Sequence, residues 1–313
     1  MSITVKQIYD LAIDLGIKND LRGAAKVKKN LKKTNDQYDK LTGQEKKDFD
    51  RERLTNPYSD TRVFVDNKKE VKKVMVGIDI TPAEIMIAKS IGVDTVISHH
   101  PIGSALADLA DVMHLQVEVL ADYGVPINVA EALTKERISE VARGVSSSNH
   151  YRVVDAASLL GINLMCVHTP CDNLAAKFLD RAIKKKKPEV VGEIVEAIEE
   201  IPEYQEAKKR KSGPTIFVGD KNSLTGKIAL TEITGGTENS TGLYQKMSQA
   251  GIGTIVGMHM SEKHVKEARK HFMSVVTAGH ISSDSLGVNQ FLDAVEKKGV
   301  EIVPCSGLIR VKR

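Results

Sequence analysis

The chain has 313 residues, of which 41% are hydrophobic and 27% are charged, a composition that excludes disorder over most of its length. At roughly 150 residues per domain, this length predicts about two domains. Three cysteines are too few for a disulfide framework. No apolar run reaches the roughly 18 residues of a membrane span, and the N-terminus lacks a signal-peptide pattern. We therefore expect a cytoplasmic protein that makes no membrane contact.

The net charge of +4 is unevenly distributed. Residues 1–73 contain 18 Lys and Arg against 12 Asp and Glu, whereas residues 74–313 contain 27 against 29. Such a basic block is typical either of a solvated, lysine-rich helical surface or of a nucleic-acid contact. Only 4% of residues are aromatic, which disfavours stacking on single-stranded bases. The solvated surface is the simpler interpretation, and nucleic acid remains a candidate partner.

The N-terminal segment is predicted to be helical. Apolar residues recur at helical spacing over residues 3–16, and Gly16 is a plausible stop. Residues 24–55 are rich in Lys and Asp with few apolar positions, which predicts one or two surface helices that end near Asn56-Pro57. We interpret residues 1–70 as a basic helical N-terminal extension.

From Val71 onward, strands and helices alternate. A buried strand at 74–79, a helix that starts at the Thr81 cap and a strand at Thr95–Ser98 form a βαβ unit. The pattern predicts further helices at 108–123, 150–160, 173–186, 240–250, 261–271 and 286–298, and strands at 126–130, 162–167, 215–218, 227–233, 254–256, 274–277 and 301–304.

This alternation predicts an α/β fold with mostly parallel or mixed sheets. Residues 190–201 fit either a strand or a helix, and Ser212-Gly213-Pro214 indicates a joint. We place a first α/β domain at 71–188, to which the C-terminal strand also contributes, and a second α/β domain at 189–313.

Histidines stand at the ends of three predicted strands. His99-His100 ends one strand, His168 ends the next long one, and His280 follows a third. An aspartate comes four residues after each of the last two. Because sites in open α/β sheets form beyond the carboxyl ends of strands, these side chains can converge. The candidate metal ligands are His99, His100, His168, Asp172, His280 and Asp284.

Imidazole and carboxylate groups together suit Zn, Fe, Mn, Ni or Co. A single catalytic ion needs about three protein ligands, so six ligands with a bridging carboxylate fit two ions about 3.5–4 Å apart. For any one of these histidines considered alone, a capping role or packing in the core is a commoner reason for its position than metal binding. The coincidence of three clusters at strand ends favours a joint metal site, whose bound water would be the expected nucleophile.

Other polar residues carry weaker signals. Cys171 lies between two candidate ligands in the sequence, so its thiolate is an alternative metal ligand. A thiol packed in the protein interior is the simpler interpretation. Asp79 at a strand end is predicted to cap a helix or to orient a ligand. His259, His264 and His271 lie on or near the helix predicted at 261–271, and they are predicted to lie on a solvated basic helix face. Gly235-Gly236 is predicted to form a tight turn, with a phosphate-binding loop as the alternative.

These motifs together resemble the Nif-three-like dinuclear metal-centre family, whose members are often described as GTP cyclohydrolase I type 2 homologues. The resemblance covers residues 71–313. It is carried by Val76-Gly-Ile-Asp79 with Thr81, Ile97-Ser-His99-His100-Pro101, His168-Thr-Pro-Cys-Asp172, Thr234-Gly-Gly236 and Gly279-His280-Ile-Ser-Ser-Asp284.

The resemblance implies two α/β domains around a cleft with two divalent ions, a ring-shaped hexamer, and the six residues named above as ligands. Two features depart from the family pattern. The family usually has Glu where this chain has Asp284, which is one methylene shorter and changes the bridge between the ions. Gly257-Met-His259-Met also replaces a Gly-Asp-rich strand end.

The leading functional hypothesis is a metal-dependent hydrolase that acts on a nucleotide or another phosphoester, GTP cyclohydrolase-like by resemblance. Two alternatives stay open. The first is a metal-carrying or regulatory protein without turnover. The second is a homo-oligomeric ring that binds nucleic acid through its basic N-terminal segments.

Overall fold

The computed structural model describes residues 3–313. The helices are α1 (Val5–Asn19), α2 (Ala24–Tyr38), α3 (Gly43–Asp48), α4 (Pro82–Ser90), α5 (Gly103–Ala107), α6 (His114–Asp122), α7 (Ile127–Val145), α8 (Arg152–Leu160), α9 (Thr169–Lys186), α10 (Val191–Glu199), α11 (Pro202–Lys209), α12 (Leu243–Gln249), α13 (Glu262–Lys270) and α14 (His280–Glu296).

The strands are β1 (Ile3–Thr4), β2 (Arg62–Val65), β3 (Glu70–Val71), β4 (Lys73–Gly77), β5 (Thr95–Ser98), β6 (Asn163–Cys166), β7 (Thr215–Val218), β8 (Lys227–Glu232), β9 (Ile252–Gly257), β10 (Ser274–Thr277) and β11 (Glu301–Cys305). Short 3₁₀ turns lie at Arg51–Leu54 and Leu109–Met113. The predicted α/β class with parallel and mixed sheets is confirmed.

The first large sheet has the strand order β11-β4-β5-β6-β2. Its strands are parallel except β2, which pairs antiparallel with β6. All residues of β5 and β6 are buried, as expected for central strands covered on both faces. The register aligns Gly77, Ser98 and Cys166, so the residues that follow β4, β5 and β6 share one edge of the sheet.

The second large sheet has the order β7-β10-β9-β8, with only β7 antiparallel. Its register aligns Glu232, Gly257 and Thr277 at the ends of the three parallel strands. Helices α9 and α14, which follow β6 and β10, pack side by side. A Cβ at Gly287 would overlap the Cys171 carbonyl oxygen, so the absence of a side chain there permits this close approach.

The N-terminal segment has the predicted helices α2 and α3 within residues 24–55. It also contains strands that the sequence did not reveal: β1 pairs with β3, and β2 joins the first sheet. Strand β2 was not predicted because it begins with the charged residue Arg62. The buried guanidinium of Arg62 pairs with Asp50 and Glu52 only in the folded chain. Helix α1 buries Ile8 and other apolar side chains in the core of the first sheet.

The strand predicted at 126–130 is wrong. Pro126 is instead the N-cap of α7, a long helix that begins at Ile127. A short apolar run does not distinguish a buried strand from the first turn of a helix, and the residues that follow are good helix formers. Helices α9 and α14 also begin earlier than predicted, at Thr169 and His280. Within residues 3–313, no helix is long and apolar enough to cross a membrane.

Candidate metal centre

His99 follows β5 and is buried at the edge where the strands of the first sheet end. Its Nδ1 lies 3.0 Å from the Val167 carbonyl oxygen. Because a carbonyl oxygen only accepts hydrogen bonds, this contact places the proton of the neutral ring on Nδ1. The lone pair on Nε2 is then available to a metal ion.

His100 points its Nε2 toward the same centre from a more open position. Its Nδ1 lies 2.7 Å from Asp79 Oδ1, which is the orienting role that the sequence suggested for Asp79 as one of two alternatives. Its Nε2 lies 3.3 Å from the Nε2 of His280, the first residue of α14. The two rings therefore present their Nε2 atoms to one point.

His168 is the N-cap residue of α9. Its Nδ1 lies 2.7 Å from Asp60 Oδ2, and the Thr169 hydroxyl donates to the same carboxylate oxygen at 2.6 Å. Asp60 is fully buried. A carboxylate behind a ligating imidazole fixes its tautomer and raises its basicity. The sequence analysis did not identify Asp60, which lies in the N-terminal segment.

Two buried aspartates complete the cluster. Asp172 Oδ1 lies 3.3 Å from His99 Nε2, and Asp172 Oδ2 lies 3.6 Å from His168 Nε2. Asp284 has one oxygen on each side: Oδ1 lies 3.5 Å from His99 Nε2, whereas Oδ2 lies 3.4 Å from His100 Nε2. The Asp284 carboxylate therefore stands between two sets of ligands.

The structure thus brings all six sequence-predicted residues together. Their ligand atoms form three overlapping groups in which the atoms lie within 4.8 Å of one another: His99, His100 and His168; His100, His280 and Asp284; and His99, Asp172 and Asp284. Each of these groups could hold a metal ion.

Four buried ligand atoms of this cluster lack a hydrogen-bond partner among the described residues. They are Nε2 of His99, Oδ1 of Asp172 and both carboxylate oxygens of Asp284. Buried polar atoms are almost always partnered, and leaving one unpaired costs about 1–3 kcal/mol. A cation at this point would satisfy all four atoms, so the donor set fits a divalent metal.

The electrostatics of the cluster also favour a cation. Burial raises the pKa of Asp284, but the surrounding histidines outweigh burial and hold it well below its usual range. Burial opposes protonation of His99, yet Asp284 and Asp172 hold the pKa of His99 well above its ordinary value. Burial and the neighbouring His100 lower the pKa of His280. A positive charge is therefore favoured at the centre, beside ionised carboxylates.

The cluster opens into a cleft of about 360 Å³ between the two sheets. Its lining includes Asp79, His100 and His280, together with residues at or just after the ends of β8 and β9. We call Glu232, Glu238 and His259 the second wall. The sequence analysis did not single these residues out as functional, although the strand-end rule used for His280 applies equally to the ends of β8 and β9.

For some neighbouring residues, the structure contradicts the prediction or favours one of its alternatives. His264 is fully buried and does not lie on a solvated face, because its ring contacts Glu238 and the Asn239 carbonyl oxygen. His271 is half-buried beside Glu267. Burial raises the pKa of the Cys171 thiol, which disfavours the thiolate that a metal ligand requires.

The chain resembles known proteins at two levels. Residues 53–118 match the family model Duf34/NIF3 (NGG1p interacting factor 3). The fold is similar to that of a NIF3 superfamily protein from Sphaerobacter thermophilus, with 24% identity and a TM-score of 0.78 over 98% of this chain and 100% of that one. Comparison with curated proteins finds no significant match.

Two other structures are more distant. Reduced HcgD from Methanocaldococcus jannaschii is 17% identical, with a TM-score of 0.47 over 77% of this chain and 87% of that chain. A Bacillus cereus protein related to NIF3 is 12% identical, with a TM-score of 0.40 over 78% of this chain and 89% of that chain.

The fold and the site define an α/β protein with a histidine–aspartate cluster suited to metal between two sheets. Residues 53–118 match the NIF3 family model and the fold is similar to that of a NIF3 superfamily protein, in line with the resemblance that the motifs suggested. The match begins at residue 53 and the shared fold extends over 98% of the chain. The resemblance therefore reaches into the N-terminal segment, which the sequence motifs had left outside it.

Proposed function

We propose that this protein is a metal-dependent hydrolase that holds two divalent ions per chain and acts on a nucleotide or another small phosphoester. The observation that carries the proposal is the set of four unpartnered, buried ligand atoms on His99, Asp172 and Asp284. Structural packing alone gives no reason to bury these atoms without partners, whereas a pair of cations does.

His99, His168, Asp172 and Asp284 would hold one ion, and His100, His280 and Asp284 would hold the other. Two divalent ions in such a site acidify bound water toward a pKa of about 7 and neutralise charge on a phosphoryl group. Zn, Fe, Mn, Ni and Co all suit these ligands.

The protein's own groups orient the ligands and shape the cleft. The Val167 carbonyl oxygen, Asp79 and Asp60 each contact the Nδ1 edge of one histidine, which directs the Nε2 edge inward. The cleft of about 360 Å³ suits a small molecule, and Leu106 and Met258 contribute apolar lining. A small phosphorylated substrate matches this combination of size and polarity.

The test has two parts, metal content and turnover. Protein purified anaerobically without chelators is expected to contain about two divalent ions per chain by mass spectrometry. A panel of nucleotides and phosphodiesters is expected to include a substrate whose hydrolysis is abolished by His99→Ala and unaffected by His114→Ala, an exposed histidine outside the cleft. Less than one ion per chain would refute the metal site. Bound ions without turnover of any compound would favour the metal-carrying alternative.

A second candidate function is nucleic-acid binding by α2. Lys28, Lys29 and Lys33 are exposed on this helix, and closely spaced lysines suit a phosphate backbone. Deleting residues 1–70 would not test this idea, because α1 and β2 belong to the core and the edge of the first sheet. A triple Lys→Glu variant is expected to weaken DNA or RNA binding and to flatten its salt dependence. Equal affinity in the variant would refute this function.

We also propose that copies of the chain assemble into a ring, the hexamer implied by the resemblance. Exposed apolar side chains on α4 and α8, including Met86, Ile87 and Leu159, offer surface for such self-association. Light scattering on purified protein would test the assembly, and a monomeric mass would refute it. The free thiols of Cys166, Cys171 and Cys305 support a reducing compartment such as the cytoplasm.

A further inference from the structure

The segment that follows β8 borders the cleft, and we call its residues 234–238 the glycine loop. Gly235 and Gly236 have φ angles of 92° and 94°, in the left-handed region that favours glycine. Gly236, Thr237 and Glu238 line the same cavity as four of the candidate ligands. The sequence left a tight turn and a phosphate-binding loop as alternatives for this segment, and the structure places it beside the metal cluster.

Gln116 on α6 holds one side of the glycine loop. Its Nε2 donates hydrogen bonds to the carbonyl oxygens of Gly235 and Thr237, at 2.7 and 2.8 Å. The Gln116 side chain is buried, and it is not among the described residues that line the cleft. A Cβ at Gly235 would lie 2.7 Å from Cγ of Gln116, so the loop packs directly on this side chain. Two carbonyl groups of the loop therefore point toward α6.

The direction of these carbonyls determines the direction of two backbone N–H groups. In a planar trans peptide, the C=O group and the N–H of the following residue point to opposite sides, and the described residues contain no cis peptide. The N–H groups of Gly236 and Glu238 therefore point away from Gln116, toward the side on which the loop lines the cleft. Neither N–H has an acceptor among residues 3–313. Backbone N–H groups that point to one side in this way suit an oxyanion.

A further contact ties the glycine loop to the helix that carries candidate ligands. The Thr234 hydroxyl donates a hydrogen bond to Oδ1 of Asn173 at 2.7 Å, and both residues are buried. Asn173 directly follows Asp172 in α9. The position of the loop is therefore fixed relative to the metal cluster.

The acidic residues of the cavity outside the ligand set leave room for an anion at the loop. Oε1 of Glu238 accepts a hydrogen bond from the Ser261 N–H at 2.5 Å, and Oε2 lies 3.1 Å from Nδ1 of His264. Asp79 is paired with a candidate ligand. Burial raises the pKa of Glu232 to about 7, so much of this carboxyl is uncharged near neutral pH.

We propose that the backbone N–H groups of Gly236 and Glu238 bind oxygens of a phosphoryl group held at the metal cluster, and that Gln116 is the positioning residue that orients them. The inference rests on the proposed function and deepens it, because it names the part of the chain that binds the phosphoryl end of the substrate. Backbone donors recognise the oxyanion and not the rest of the molecule, so this contact is common to all phosphoesters that fit the cleft.

The first test measures binding of inorganic phosphate by calorimetry to protein loaded with Zn²⁺ and freed of excess ion, beside metal content. Gln116→Met keeps the length of the side chain but removes the donor, and Gln116→Glu places a carboxylate against two carbonyl oxygens. Both variants are expected to keep their metal and to bind phosphate about tenfold more weakly or worse, since hydrogen bonds to a charged group are misdirected.

Gly236→Ala is expected to weaken phosphate binding to a similar extent. Its φ of 94° strains an alanine, and the added Cβ would lie 3.0 Å from Cγ1 of Val112, so the loop has to shift. Gly124→Ala is the matched control, because Gly124 has a φ of 95° and a Cβ there would have no neighbour closer than 3.7 Å. This control is expected to bind phosphate like wild type.

The second test reads the N–H groups themselves. Hydrogen exchange in a peptide that spans residues 234–238 is expected to slow by about tenfold or more when saturating phosphate is added to the metal-loaded wild type. In Gln116→Glu the same peptide is expected to exchange rapidly with or without phosphate. A purely structural role for Gln116 would not produce protection that depends on phosphate.

Wild-type phosphate affinity in the Gln116 and Gly236 variants would overturn the proposal, as would unchanged exchange of the loop at saturating phosphate or no phosphate binding to the metal-loaded wild type. If a variant does not fold, the exchange measurement on wild type decides. A protein whose loop is protected by phosphate but that hydrolyses no phosphoester would refute the hydrolase alone. If the wild type takes up no metal, the proposed function fails, and exchange of the loop with phosphate in the unloaded protein decides the inference.

Discussion

Oδ2 of Asp60 lies 2.7 Å from Nδ1 of His168, although 108 residues separate the two positions in the sequence. The pair joins the N-terminal segment to the candidate metal centre. It also explains why Asp60 is fully buried: its carboxylate accepts hydrogen bonds from His168 and from the Thr169 hydroxyl. The N-terminal segment therefore supports a candidate ligand directly.

Replacing Asp60 is expected to weaken metal binding without removing a ligand. Asp60→Asn keeps the size of the side chain but removes the charge that raises the basicity of His168, so affinity for one ion is expected to fall about 10- to 100-fold. Competition with a chromogenic chelator would measure the change. Asp66→Asn, in the same segment but paired with Lys68, is the control. If both variants bind metal like wild type, Asp60 does not support the site.

Asp284 is expected to determine how many ions are held. Asp284→Asn preserves the shape of the side chain but not its charge, and the carboxylate faces both ligand sets. We therefore expect metal content to fall from about two ions per chain to one or none. Asp284→Glu is expected to keep both ions. Mass spectrometry of the purified variants checks this, with Asp155→Asn on the exposed face of α8 as control. Two ions retained in Asp284→Asn would contradict a bridging role.

Glu232 is expected to make stability pH-dependent. Burial raises its pKa from 4.5 to about 7 in the folded protein. Below pH 4.5 the Glu232 carboxyl is protonated in both the folded and the unfolded state, so it does not lower the free energy of unfolding. Between pH 4.5 and 7 only the folded state holds it, so the free energy of unfolding falls as pH rises, by up to roughly 3 kcal/mol.

Glu232→Gln removes this titration. The variant is expected to equal wild type near pH 4 and to be more stable, by a few kcal/mol at most, at pH 8. Urea unfolding of both proteins after chelator treatment, at the two pH values, measures the difference. A constant difference between the two proteins across this range would show that Glu232 is not protonated in the folded state.

Gly287 is expected to be intolerant of any side chain. A Cβ there would overlap the Cys171 carbonyl oxygen and lie 2.7 Å from its carbon, and both atoms are backbone in tightly packed helices. Gly287→Ala is expected to destabilise the protein by about 3 kcal/mol or more and to loosen the site held by α9 and α14.

Gly144→Ala is the matched control for this helix glycine. Gly144 lies in α7, and a Cβ added there would meet no other atom within 4 Å, so alanine is expected to stabilise by about 0.5–1 kcal/mol. Thermal unfolding of both variants measures the contrast. Similar effects of the two substitutions would mean that the α9–α14 contact is not tight.

The alternation of elements was predictable because its information is local. The buried strand β5 is rich in β-branched residues over Thr95–Ser98, and the Thr81 capping box that starts α4 is a local pattern present in the structure. The first turn of α7 was mistaken for a strand, since its few apolar residues fit both periods. Strand β2 was missed because Arg62 is neutralised by residues that approach it only on folding.

The sequence by itself determined the six candidate ligands, since strand ends and the four-residue spacing from His168 to Asp172 and from His280 to Asp284 are local features. Only the tertiary structure decided that these residues meet, that Asp60 stands behind His168, and that His259 lies beside His280 in the same cleft. The physical reason is that burial, the absence of a hydrogen-bond partner and a neighbouring charge depend on residues distant in the chain. Contacts of this kind produce no periodic pattern in the sequence.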